Sequence, residues 1–191
     1  MADNRTASLT TVLDRVERAE ALDSVAVAVE HNVRRIPEGA RRALNGVGWL
    51  GHPLHPALVH LPLGSWMAAS VMDATHRSDA ARSLTALGVA AAIPAAAAGW
   101  ADWAELTEQQ KRSGLVHAAA NSLGLLLFAG SIAARSSSRC RLGQRLGLAG
   151  LIAVSAGAAI GGDLAYRGCG PRPPGPSSTG VVAEPIRTAT S

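Results

Sequence analysis

The chain has 191 residues, 48% of them apolar but only 3% aromatic, and a formal charge of +4 carried almost wholly by arginine. That length allows one compact domain with additions, and a core of Ala, Leu, Gly and Val needs close backbone approach. The arginines come in pairs beside apolar runs, where charges flank membrane segments, which argues against nucleic acid as a partner.

The opening MADNRTASLT lacks a basic patch followed by an apolar stretch, so no cleavable signal is expected and insertion rests on internal segments. Residues 1–43 read as an amphipathic helical segment. Leu9, Val12, Leu13 and Val16 recur at helical spacing, and Val25, Val29 and Val33 form a second stripe. Asp23 or Ser24 is placed to cap a second helix, and Pro37 ends it. Arg34, Arg35, Arg41 and Arg42 lead to Trp49, a pattern that suits a helix lying in the headgroup zone.

From Arg42 to Asp73 there is no charged residue. GHPLHPALVHLPLGSWMAASVMD opens with His52 and His55 set among prolines, and His60 follows in the apolar run. Pro56 suits a first helical turn, and Pro62 should kink the helix and free the carbonyl of Leu58. Three more charge-free stretches follow, Ser83–Ala101, Ser113–Ala134 and Leu146–Gly162. With their flanks they reach the roughly 20 residues that cross hydrocarbon. The expected fold is all-α: a four-helix transmembrane bundle over residues 44–167, with helices at about 56–74, 83–103, 114–135 and 145–166. Short loops make it up-down-up-down. Gly157 and Gly161 give the last helix a small-xxx-small pattern. A soluble Ala-rich bundle is the competing reading. Residues 168–191, rich in Pro, Gly and Ser, read as a disordered tail.

Alternation sorts the polar residues. Helices one and three start on the N-terminal side, and helices two and four end there. His60, His117, Asp102 and Asp163 therefore share a layer about 10 Å deep or less, with His52 and His55 just outside it. Two histidines at matched depth on helices facing across a bundle can give axial ligands to a haem iron, as in membrane b-type cytochromes. His60 and His117 are the expected pair. Gly64 leaves room beside the first ring, and Asn121 lies one turn from the second, toward a ring edge or a cofactor. The alternative set for a divalent ion such as Zn²⁺ is His52, His55, His60, Asp102, His117 and Asp163. In a third reading, buried His and Asp satisfy one another and only lock the bundle. Cys140 and Cys169 fall on opposite sides and cannot pair within one chain. No phosphate loop or activated nucleophile is apparent, so an enzyme is not expected.

GHPLHPALVHLPLGSW, GWADW, KRSGLVHAAANSLGLLLF and GGDLAYR, in that order, resemble the bacterial membrane-protein family labelled domain of unknown function 2231, over about Leu44 to Arg167. The resemblance implies a fold and a membrane location rather than an activity. Some members look fused to a Rieske-type iron–sulfur domain, which implies electron-transfer company. The family pattern often has histidine where this chain has Asp163, a departure that weakens a ligand role for the fourth helix.

The functional expectation is an integral membrane protein in contact with lipid, binding haem b or a divalent metal near one face and serving an electron-transfer partner. The alternative is a structural or assembly protein. The expected location is the inner (cytoplasmic) membrane, multi-pass, with a cytoplasmic N-terminus from a small arginine excess on that side. Self-association into a homo-oligomer is open.

Overall fold

A computed structural model describes residues 11–168, and every regular element among them is helical. Residues 11–17 form α1 and Glu20–Leu22 a 3₁₀ turn. The helices α2 (Asp23–Val33), α3 (Glu38–Asn45) and α4 (Val47–Leu50) follow. Then come α5 (His55–Leu58), α6 (His60–Ala74), α7 (Ser78–Trp103), α8 (Glu108–Ser136) and α9 (Cys140–Gly168). The expected tail and Cys169 lie outside the described residues.

The N-terminal break falls where the sequence suggests, but no side chain caps α2. Asp23 instead receives the Arg112 guanidinium, Nε to Oδ1 at 2.6 Å and Nη2 to Oδ2 at 2.7 Å. Arg112 Nη1 also donates to the carbonyl of Glu17 at 2.7 Å. Lys111, buried, places Nζ 2.7 Å from Glu30 Oε2 and lies over the Trp103 ring. These ion pairs hold α1 and α2 against the first turn of α8, which begins on a capping box of Thr107 and Gln110.

Pro62 is buried, and the helix that contains it is interrupted at Val59, one residue past Leu58, whose carbonyl proline cannot bond. Val59 keeps φ −66° and ψ −19°, so the interruption is local. Among the described residues, three helices are long and apolar enough to cross a membrane: Ser78–Trp103, Glu108–Ser136 and Cys140–Ala165. All three start several residues before their charge-free stretches, because a helix can run on into the interface while only its middle must be apolar.

Helix α6 packs on α7 and on α9, and α8 packs on α9 and on α7. Between α6 and α8, Trp66 stacks on Phe128 with ring centroids 4.1 Å apart and planes at 14°. Val154, Leu63, Leu125 and Val89 close around that stack. Leu87, Ile93, Leu123, Leu126, Leu148 and Ile152 are exposed on the long helices. Apolar side chains facing outward along whole helices are what lipid contact requires.

Candidate functional site

Polar residues at the start of α5 and about two and a half turns into α8 meet across the molecule, though the pairing differs from the expected one. His55, not His60, faces His117: their ring centroids are 6.3 Å apart and the planes stand at 85°. Helical phase explains this. Eleven residues, close to three full turns, separate His55 from Trp66 and likewise His117 from Phe128. Both histidines therefore share a face with the central aromatic stack. His60 precedes Trp66 by six residues, roughly a third of a turn out of phase. It is exposed, with Nδ1 3.3 Å from the Ala57 carbonyl in its own segment. Gly64 is exposed as well, with open space where a Cβ would sit, so it makes no niche for a buried ring.

Each facing histidine is held by the neighbouring helix. His55 Nδ1 lies 2.8 Å from the Ala95 carbonyl, and His117 Nδ1 lies 2.7 Å from the Gly157 carbonyl. A carbonyl only accepts, so Nδ1 is the donor in both contacts and Nε2 is the ring nitrogen that the carbonyl leaves unused. A Cβ on Gly99 would come within 2.9 Å of His55 Cε1, and one on Gly161 within 2.7 Å of His117 Cε1. Glycine at these two places is what lets the imidazoles reach the backbone. Asn121, one turn after His117, points its Nδ2 at His117 Nε2 (3.1 Å) and donates to the His117 carbonyl (2.9 Å).

Asp102 is half-buried at the end of α7, where Asn45 Nδ2 donates to its Oδ1 at 2.6 Å. Asn45 also accepts from the Val47 amide (3.3 Å), and its carbonyl accepts from the Leu54 amide (2.8 Å). It thus ties the HPLHP loop to α7. No sequence motif marked Asn45; its place one residue before Gly46, which turns the chain with φ 81°, was the available signal. His52 is exposed in that loop, its Nδ1 3.1 Å from the Pro53 carbonyl. Asp163 is half-buried on α9, two residues past Gly161. Among the described residues, no three His, Cys, Asp or Glu side chains converge to hold a metal ion.

The opposite end holds a buried ion pair between Asp73 and Arg135, each of which borders a charge-free stretch in the sequence. Arg135 Nη1 and Nη2 reach Asp73 Oδ1 and Oδ2 at 2.7 and 2.6 Å, a two-pronged contact. Arg135 is 7% exposed. Its Nε lies 3.3 Å from Ser131 Oγ, which donates to the Gly143 carbonyl at 2.6 Å.

No curated protein and no solved structure matches the chain. Residues 51–169, which include the whole of α5 to α9 and both histidines of the facing pair, match the family model described as "Predicted membrane protein (DUF2231)". With three helices able to span a bilayer and a match over more than half its length, the chain is a multi-pass membrane protein and belongs to the DUF2231 family.

Proposed function

We propose that the protein is a non-enzymatic four-helix membrane protein, with α5 and α6 together as a fourth span in an up-down-up-down order. Its His55–His117 pair would hold a haem b, which would supply electron transfer with a membrane partner. The observation that carries this is the common setting of the two rings. Each gives its Nδ1 proton to a backbone carbonyl of the next helix, which orients the imidazole and reserves Nε2, as outer-shell partners do for ligating histidines. Two imidazoles suffice for a haem iron, whereas a zinc site draws on three or four protein ligands. His52, His60, Asp102 and Asp163 stand as candidate outer contacts rather than as a closed ligand set. Asn121 is placed to steady His117 or a ring substituent. We place the protein in the inner membrane of a bacterial cell with its N-terminus in the cytoplasm.

A second reading is favoured by one contact: Asn121 already donates to His117 Nε2. In that reading the cluster is a structural lock, and the protein acts as an assembly partner. An absorption spectrum of the detergent-purified, haem-supplied protein separates the two. The haem reading expects a Soret band that is abolished in His55→Ala and His117→Ala and unchanged in His60→Ala. A colourless protein in which those two variants only lower thermal stability establishes the structural lock instead.

A further inference from the structure

We infer that α6–α7 and α8–α9 are two copies of one helical hairpin, folded against each other about a local twofold axis. The Asp73–Arg135 contact is the recognition element by which one copy selects the other. The offset between the copies is 62 residues, the separation of Asp73 and Arg135. Applied along the chain, it relates the helix ends Ala74 and Ser136 and the helix starts Ser78 and Cys140.

The turns superpose in detail. Thr75 (φ −97°, ψ 15°) corresponds to Ser137 (φ −98°, ψ 23°). His76 (φ 58°) corresponds to Ser138 (φ 59°), and these are the two non-glycine residues in the left-handed region among the described residues. The Arg77 amide bonds the Met72 carbonyl at 2.8 Å, and the Arg139 amide bonds the Ala134 carbonyl at 2.9 Å. His55 on Ala95 with Gly99 beneath it repeats as His117 on Gly157 with Gly161 beneath it. Gly88 under Trp66 repeats as Gly150 under Phe128.

A twofold axis brings a residue against its own equivalent. Three such pairs touch: His55 with His117, Trp66 with Phe128, and Asp73 with Arg135. Because they follow in the same order on both helices, α6 and α8 run in the same sense, and the axis lies along them. In a membrane that is a parallel repeat about the bilayer normal.

The partner that the seam fits is therefore the other copy of the hairpin. At the first two axial positions like faces like, which two identical hairpins would also satisfy. At the third, like would face like charge, Asp on Asp or Arg on Arg, inside an apolar bundle. The opposite charges present there admit only the unlike pairing, first hairpin with second, and exclude first with first. This inference is independent of whether the histidines hold a haem.

Reversing the pair tests it. Room for the arginine comes from Gly143, where a Cβ would fall 2.5 Å from Arg135 Cγ; its equivalent beside position 73 is the fully buried Ala81. Asp73→Arg and Arg135→Asp alone should each lower the thermal midpoint in detergent by roughly 10 °C. In Asp73→Arg/Arg135→Asp, adding Ala81→Gly should raise the midpoint, whereas Ala81→Gly in the native chain should lower it. A lowering in both backgrounds overturns the twofold relation.

Spin-label distances test the twofold relation should the reversed chains fail to fold. With Cys140→Ser and Cys169→Ser, labels at Leu61→Cys and Leu148→Cys join the first hairpin to the second, and the twofold carries that pair onto Leu123→Cys and Ala86→Cys. All four positions are exposed. The two pairs should report the same distance, and clearly unequal distances overturn the twofold relation.

Discussion

At the scale of single residues, two missing methyl groups decide the geometry of the histidine pair. A Cβ at Gly99 or Gly161 would sit closer to the ring than real Cβ contacts allow. The rings cannot back away without losing the carbonyls of Ala95 and Gly157. Gly99→Ala and Gly161→Ala are therefore expected to destabilise the protein by similar amounts, about 1–3 kcal/mol each, read as the thermal midpoint in detergent. Ala at Gly162, beside open space, should be neutral or slightly stabilising as a helix former. Asn121 was legible from spacing, since a residue one turn from His117 must share its face. His55 was not separable from His60 in the same way. Which histidine faces inward depends on helical phase relative to Trp66, and that phase is set by packing.

At the scale of elements, the N-terminal helices are held both by burial of Leu13, Ala26 and Val33 and by charge. The Arg112 guanidinium, by hydrogen bond and by charge, holds the Asp23 carboxyl below the usual carboxylate range against a smaller opposing effect of burial. Glu30 is lowered likewise, first by Lys111 and then by Arg34. A carboxylate whose folded value is depressed stabilises docking fully above its unfolded value, near pH 4, and that contribution is lost as pH falls through the folded value. A spin label at Val27→Cys, an exposed position on α2, should report an immobile α2 at neutral pH and progressive release below about pH 4. Arg112→Ala should loosen it already at pH 7; a label indifferent to both changes would sink the electrostatic account. The sequence suggested these helices and the break between them. It offered Asp23 or Ser24 as a cap, because a cap is a local act, whereas Arg112 lies 89 residues further along the chain than Asp23.

For the whole molecule, the membrane reading rests on long helices whose outward faces are apolar. The topological prediction concerns α5 and α6, which together run from His55 to Ala74 with an interruption at Val59. If they cross the bilayer, an impermeant thiol reagent should reach His52→Cys and His76→Cys from opposite sides, in a chain freed of its native cysteines. Labelling of both from one side would make α6 re-entrant and leave three spans. Resistance to carbonate extraction is expected in either case.

Composition, the charge-free stretches and the order of HPLHP, GWADW and GLVH determined by themselves that this is a helical membrane protein of a particular family. Hydrophobic length is a property of each segment alone, so it can be read without knowing the neighbours. Only the tertiary structure decided that His55 rather than His60 meets His117, that Asp73 finds Arg135, and that the two hairpins repeat. Those outcomes depend on how each helix is rotated about its own axis. That rotation is fixed by contacts between residues far apart in the chain, above all by the aromatic stack at its centre.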